Sequence, residues 1–495
     1  MEKKKVGIIG GGSAGYLTAL GLRKYFPNWD IQIIESSKTP IIGVGEATTP
    51  FLLNFLHNFL EFPVDEFFVE TKPTLKLGVK FFWGKNEFYN NPFGPIDNLD
   101  QACEFGDFSK CSIVSEMMNA NKAPLFKSTN QQLSPFKLKR GFAYHIDNKL
   151  FVKYLRKKIK SFQIPIIDTE IAEIESENNS VTQLTSSTGS VYQYDLYFDC
   201  SGFKSLITGT HLKSKWISYA DSLFTDRAIL GTKCHKGPIS PYTTATTLNA
   251  GWLWETPTQA ENHLGYVYSS KFISDEDAEK ELSKYVDDLS NKKVVSFKTG
   301  RYQNSWTGNV IAIGNSFAFI EPLESTGIHM IIDQIRKFYK YYSASEDLKQ
   351  SREFYNKKVN GSWDFLKTFI ALHFKYNYKL NTPFWKHCRE DIDLSEIQDY
   401  IEFFQEYGPI GKHKQNPLFA KMNKDAIFSA FSFDFNLAGC GMEWKKNNIN
   451  SNPEEWKKKL KTQNSFVEKM VSHKEMLHFL EYKKTNFIQS WFSKT

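Results

Sequence analysis

Residues 6–15 read VGIIGGGSAG and residues 30–35 read DIQIIE. The first stretch is a short apolar strand, Val6–Ile9, that runs into Gly10, Gly11, Gly12, Ser13, Ala14 and Gly15, with glycines 10, 12 and 15 spaced as GxGxxG. A helix opens at Ala14 and continues to Leu22, and Asp30–Glu35 is a second strand ending in an acid 20 residues after Gly15. Strand, glycine turn, helix, strand and acid together form the fingerprint of a dinucleotide-binding unit. The glycines let the backbone approach a pyrophosphate at the helix N-terminus, and Glu35 is placed to accept from a ribose hydroxyl. The fingerprint by itself does not separate FAD from NAD.

Two later segments favour FAD. Tyr194–Phe198 is a strand ending in Asp199-Cys200-Ser201-Gly202, and NVIAIGN (309–315) is a third strand-to-turn unit. FAD is long, and a protein that wraps it touches it with widely separated parts of the chain. Ordinary βα turns are the other reading of both segments. Between them the patterning is strand-rich at 181–194 and 243–268, and beyond residue 330 it turns helical, at 332–342, 345–368, 394–407 and from 453 to about 492. The expected class is α/β. An FAD-binding, Rossmann-like domain of flavin monooxygenase type (1–340) carries a β-sheet insertion facing the substrate, and a helical region (341–495) covers the substrate pocket.

The 495 residues suffice for two or three domains' worth of core, with 41% hydrophobic and 24% charged residues as in ordinary globular proteins. Aromatics reach 15%, with 42 Phe, which fits an aromatic-lined pocket but equally a compositional bias. A net charge of +7 spread over this length is no nucleic-acid footprint. The six cysteines show neither CxxC spacing nor pairing with histidines of zinc type, so no metal site is expected. MEKKKVGIIGGG enters a strand without a signal-peptide pattern, and the apolar run 6–22 is too Gly-rich and too short to span a membrane, so the reading is a cytoplasmic, reduced protein.

IEPLESTGI (320–328) places two acids, Glu321 and Glu324, among apolar neighbours, where carboxylates are costly unless a charge or donor meets them. TLKLGVKF (74–81) holds Lys76 and Lys80; on one continuous strand their even spacing puts both on one face, so spacing does not choose between them. GWLWETP (251–257) pairs Trp252 with Trp254, and GVGEATTP (43–50) adds a further glycine-rich stretch.

With GIIGGGSAG and GNSFAFIEPLESTGI (314–328), these segments resemble the flavin-dependent halogenases of the tryptophan-halogenase type. YHIDNKLFVKYLRK (144–157), DCSGFKSL (199–206), GYVYSS (265–270) and NTPFWK (381–386) extend the resemblance over almost the whole chain. It implies an enzyme that uses reduced FAD, O₂ and halide to make hypohalous acid. The acid crosses an internal tunnel to an electron-rich arene, indole- or phenol-like, in a separate pocket. It also implies a separate flavin reductase as a transient partner, and no nucleic-acid or membrane partner; a homo-oligomer and the choice among chloride, bromide and iodide stay open.

By the same resemblance Lys76 handles the hypohalous acid, and Glu324, with Ser325 beside it, stabilises the cationic intermediate and takes its proton. Thr326 and Gly327 match the halide-binding amides. Gly10, Gly11, Gly12, Ser13, Ala14, Gly15, Glu35, Val44, Gly45, Glu46, Ala47, Asn315 and Ile328 match cofactor contacts. Trp252 and Trp254 match a pair that keeps substrate away from the flavin, although ordinary core packing is the other reading. Glu321 matches an acid whose expected role is scaffolding, as an ion pair or a cap.

The match departs from the family in three places. Thr256 stands where an isoleucine is usual. Phe93 is kept in the substrate pocket, but Asn91 replaces the expected histidine. AIFSAFSFDFNLAG (426–439) lacks the tyrosines and the stacking tryptophan that clamp free tryptophan. A less polar arene, or an arene carried on a larger molecule, fits better. The alternatives are an FAD-dependent aromatic monooxygenase, hydroxylating or epoxidising, and a non-catalytic flavin- or nucleic-acid-binding protein.

Overall fold

The computed structural model describes residues 3–39, 45–94, 96–97, 99–106, 108–127, 133–136, 138, 141–424, 427–445 and 451–481. Strand Lys5–Ile9, helix Ser13–Tyr25 and strand Asp30–Glu35 follow one another as the glycine pattern requires. They belong to a six-stranded sheet ordered Ile166–Asp168, Asp30–Glu35, Lys5–Ile9, Leu196–Asp199, Val310–Ala312, Trp306–Thr307, parallel except at the last pairing. The two later strand-to-turn units are therefore successive neighbours of the first strand, and all three turns leave the same edge. Ligands of open parallel sheets bind at that carboxyl edge.

The glycines of the first turn divide by what surrounds them. Gly10 has φ +123°, and a Cβ there would lie 2.4 Å from the Cys200 carbonyl oxygen, so its job is the tight turn against the neighbouring strand. A Cβ on Gly12 would meet nothing within 4 Å, so packing does not demand that glycine and open space beside it remains for a ligand.

A seven-stranded mixed sheet, ordered Ser290–Ser296, Arg227–Lys233, Asn262–Tyr268, Gly251–Pro257, Thr243–Leu248, Gly78–Phe82, Tyr89–Pro92, forms the second layer. A small sheet sets Ala143–Asp147 between Gly45–Ala47 and Thr74–Lys76. The continuous strand expected over 74–81 is thus two strands in two sheets. The break is Leu77, whose amide donates to the Pro241 carbonyl (2.7 Å) and whose carbonyl accepts from the Phe93 amide (2.7 Å). Gly78 then lets the chain pass close to Asn91, whose oxygen a Cβ would approach to 2.3 Å.

Helices Gly327–Tyr342 and Leu348–Lys375 follow, the second capped by Asp347, whose carboxylate accepts from the Lys349 and Gln350 amides. This second helix runs past the expected end at Thr368, because the apolar run Phe369–Phe374 is buried on every side and carries no periodicity to read. The single helix expected from 453 to about 492 is also corrected as far as residue 481, beyond which it lies outside the described residues. It ends at Glu468, and Met470–Ser472 forms a strand against Lys122–Lys127 before helix His473–Glu481 begins. The strand edge at 122–127 outcompetes continued helix. One hydrophobic core joins Ile8 and Leu17 of the nucleotide layer, Trp252 of the second sheet and Leu366, Phe369 and Trp385 of the helical part. No helix among the described residues is long and apolar enough to cross a membrane.

Candidate active site

The turn 321–326 opens helix Gly327–Tyr342 and meets Trp252 and Asn91 of the seven-stranded sheet and Lys76 of the small one. Ser325 takes φ +59°, a left-handed conformation that costs a β-carbon residue about 1 kcal/mol. The Ser325 amide donates to the Pro322 carbonyl (3.0 Å), and the first helical bond runs from the Met330 amide to Thr326 (2.9 Å). The amides of residues 326–329 therefore belong to the unmatched first turn of the helix, where partial positive charge collects. A Cβ on Gly327 would meet no atom within 4 Å, so this helix start, like the glycine loop at Gly12, borders open space.

On one side of the turn Lys76 donates from Nζ to the Ser325 hydroxyl at 2.7 Å and lies 5.2 Å from the Phe93 ring centre. The side chain is fully buried. Desolvation pushes its ammonium down to about 7, opposed by the nearby Glu324 charge. Lys80, expected on the same face, instead lies over the Phe88 and Tyr242 rings at 4.5 and 4.7 Å, in the other sheet. The split at Leu77 separates the two lysines, leaving Lys76 alone of the pair beside Ser325.

Glu324, 3% exposed, accepts from Asn91 Nδ2 at 3.0 Å and faces His373 Nε2 at 2.9 Å, both on Oε1. The residue in the histidine's expected place thus holds the carboxylate. His373 was not found from the sequence. It is the one polar side chain in the run Phe369–Phe374, and a lone polar group inside such a run is the signal that was available. Behind Lys76 stand two more buried histidines. His145 lies between the Thr74 and Thr243 hydroxyls (2.9 and 3.0 Å). His473 accepts from the Leu75 amide at 3.2 Å and meets the Ile239 carbonyl at 2.8 Å. Burial holds both well below the ordinary histidine range, His473 at about 4, so both are neutral beside the lysine.

On the other side of the turn Glu321 accepts from Trp252 Nε1 (2.6 Å) and the Thr225 hydroxyl (2.8 Å). The expected ion pair or cap is absent: both partners are neutral donors. Burial raises this acid to about 7 against the two hydrogen bonds. Trp254, one residue pair along the same strand, is 8% exposed and packs its indole over Gly265. Thr256 of the same motif is buried at 2%.

At the nucleotide layer Glu35 accepts from the Tyr16 hydroxyl (2.6 Å) and pairs with Arg156. A Cβ on Gly11 would strike the Glu35 carboxylate, which places that acid against the glycine loop. The Ser13 hydroxyl is spent on Asn148 (3.0 Å). Gly45, Glu46 and Ala47 form the strand Gly45–Ala47, where burial lifts Glu46 to about 7; Val44 lies outside the described residues. Asn315 follows Gly314 on the turn after Val310–Ala312, and Ile328, 5% exposed, sits in the first turn of its helix. Open space at Gly12 and Gly327, an acid set against the glycine loop and a helix N-terminus suit a long dinucleotide such as FAD.

Comparison with known proteins bears on this arrangement directly. The sequence pattern of the tryptophan halogenases matches residues 5–438. The chain belongs to the tryptophan halogenase family. Among curated relatives, the tryptophan 6-halogenase ThaL of Streptomyces albogriseolus is 28% identical over 446 residues, covering 82% of this chain and 83% of its own. The tryptophan 7-halogenase RebH of Lentzea aerocolonigenes is 26% identical over 441 residues, covering 81% and 82%. Among solved structures, MibH, described as a lanthipeptide tryptophan 5-halogenase, superposes with a TM-score of 0.90 at 33% identity, covering 97% of this chain and 94% of that one. The taromycin flavin-dependent halogenase Tar14 superposes at 0.86 with 25% identity, covering 97% of this chain and all of that one. The protein is a flavin-dependent halogenase, and the monooxygenase alternative is not favoured.

A cavity of about 170 Å³ opens beside Asn91 and Phe93 of this halogenase, closed by Ser429, Phe431, Ser432 and Phe435. Among the described residues no acid or base lines it. The acid of the covering helix, Asp434, points elsewhere: it accepts from the Tyr400 hydroxyl (2.9 Å) and from the Ile410 and Gly411 amides (2.9 and 2.8 Å). That acid is structural, tying the helix Ala430–Gly439 to the turn at 410–412.

Proposed function

We propose that the halogenase acts on an electron-rich arene, indole- or phenol-like, borne by a molecule that offers no free amino-acid charges to be clamped. The observation that carries this reading is the cavity next to Asn91, whose described lining is two serines, three phenylalanines and other uncharged groups. A zwitterion needs charged or strongly polar partners to leave water, and here the nearby acid is spent on Tyr400 and two amides. A structural relative described as acting on a lanthipeptide tryptophan agrees with an arene carried on a larger chain.

Flavin reduced by a separate reductase and reoxidised by O₂ would supply, when bound, the two-electron oxidation of halide to hypohalous acid. Gly10, Gly11, Gly12, Ser13, Ala14, Gly15, Glu35, Gly45, Glu46, Ala47, Asn315 and Ile328 would hold it, Ser13 through its backbone since its hydroxyl serves Asn148. The Thr326 and Gly327 amides would receive the halide at the helix start. Trp252 and Trp254 would wall the arene off from the flavin, and the helical region 341–495 would cover the arene pocket.

Lys76 then orients the hypohalous acid. With an ammonium lowered to about 7, protonated and free-amine forms are both accessible near neutrality. The charged form donates to the oxygen of the oxidant and makes its halogen more electrophilic. The ring carbon forms its bond to halogen as the halogen–oxygen bond breaks. The departing hydroxide leaves as water with the lysine's proton, and Glu324 takes the proton of the cationic ring.

The test offers free tryptophan, uncharged indoles and phenols, and tryptophan-containing peptides with chloride, bromide or iodide and a generic flavin reductase, read by mass spectrometry. Halogenation of uncharged or peptide-borne arenes ahead of free tryptophan is expected. Preference for free tryptophan would overturn the substrate class, and oxygenated products alone would overturn the proposed roles of Lys76 and Glu324.

A further inference from the structure

Three buried histidines place Nδ1 against a backbone carbonyl: His57 on Phe62 (2.9 Å), His473 on Ile239 (2.8 Å) and His373 on Phe369 (2.8 Å). A carbonyl only accepts, so Nδ1 carries a hydrogen in each. A neutral ring then has an acceptor left at Nε2. His473 meets that requirement with the Leu75 amide and His57 with the Tyr144 hydroxyl (3.2 Å), so both rings are satisfied when neutral. His373 is different. Its Nε2 faces Glu324 Oε1 at 2.9 Å, an acceptor where a donor would be needed. One additional proton must lie between ring and carboxylate, or two lone pairs face each other in a buried contact.

We propose that His373 carries this proton on Nε2, as an imidazolium paired to Glu324 Oε1, and so keeps Glu324 ionised as the base of the proposed halogenation. His373 is then a positioning residue acting through Glu324. Asn91 donates to the same oxygen, so two donors converge on Oε1 and mark it as the charged end. Neither contact involves Oε2, which is left for the substrate. The other groups around the pair are Lys76 across the turn, which feels the charge of Glu324, and Tyr89, backed by Cys440; the remaining ring neighbours of His373 are Phe81 and Phe369. In the step itself the ring C–H bond breaks, its electron pair returns to the arene and the proton goes to Glu324 Oε2. The Nε2 proton stays where it was, and Glu324 later releases its own to water.

This inference rests on the proposed role of Glu324, so its test has one readout that needs no turnover. In protein labelled with ¹⁵N-histidine, nitrogen spectra at neutral pH should show a cationic ring that disappears in His373→Gln and becomes neutral in Glu324→Gln. A neutral His373 in the wild type would overturn the proposal whatever the enzyme halogenates. The kinetic readout uses indole and bromide, with indole protiated or deuterated at every ring carbon. His373→Leu should lower kcat about 100-fold, the scale of a general base, expose a primary isotope effect that the wild type lacks, and add nothing further in a Glu324→Gln background. His373→Gln, which still donates to Oε1, should recover most of the rate. Equal additional loss in the Glu324→Gln background would show a role independent of Glu324 and sink the idea.

Discussion

Glu321 and Glu324 stand three residues apart in one turn, both buried, and the molecule treats them differently. Glu324 meets His373 and Asn91, the latter a residue of the cavity wall, and its charge acts on Lys76. Glu321 meets an indole N–H and a hydroxyl, on the side of the tryptophan pair. A carboxylate held through one oxygen by a histidine and an asparagine, beside a lysine, is equipped to exchange a proton at the other. One fixed by two neutral donors, and lifted to about 7 by burial, is equipped to hold an indole ring still. The same residue type, on the same turn, takes its role from what the other chain segments bring to it.

The largest effect that would break this division comes from the lysine on the Glu324 side. Lys76→Ala is expected to abolish arene halogenation while flavin binding and reoxidation by O₂ persist; comparable product yields from variant and wild type would end the assignment. Glu324→Gln should lower halogenation by about 100-fold or more, again with flavin reoxidation intact. Glu321→Gln keeps one acceptor but turns an amide donor toward Trp252 or Thr225. It should cost about 1–3 kcal/mol of stability in denaturant titration and leave arene turnover within a few-fold. Equal losses of turnover in well-folded Glu321 and Glu324 variants would erase the contrast.

The pH dependence sharpens it further. Glu321 is raised in the fold from 4.5 to about 7, so the folded state binds its proton more tightly than the unfolded chain. Its contribution is most favourable below the unfolded value and is lost as pH rises from about 4.5 to about 7. The Tm of Glu321→Gln should therefore fall less over that window than the wild type's. Lys76 runs the other way. Its proton is held less tightly in the fold, so the penalty for burying it is full below about 7 and relieved toward 10.5. Lys76→Met should raise the Tm at acid and neutral pH and lose that advantage in alkali. The smallest effect is that of Lys80→Met, which should halogenate within about two-fold of wild type, because Lys80 serves two aromatic rings in the other sheet.

What could be read without a structure follows from how local each signal is. The glycine turn, its strand and its helix are set by neighbours within thirty residues, and they stand where the pattern put them. Lys76 and Glu324 came from motifs, and the fold brings both to Ser325. The unread parts are those decided by distant segments. Leu77 interrupts a strand because Pro241 and Phe93 take its hydrogen bonds. The C-terminal helix breaks because the strand at 122–127 offers Met470–Ser472 a ladder. His373 is buried among apolar neighbours, and nothing near it in the sequence says that Glu324 will face it.

The contact between the Leu75 amide and His473 has a consequence for how the enzyme is made. The two residues are 398 positions apart, and the amide belongs to the residue immediately before Lys76. During synthesis the lysine strand and its neighbour Ala143–Asp147 emerge long before His473, so one hydrogen bond of that strand waits for a distant segment. A nascent chain can therefore hold the lysine strand on Ala143–Asp147 while the Leu75 amide still waits for its histidine. The contact behind the lysine forms only after every strand of the two large sheets has been made.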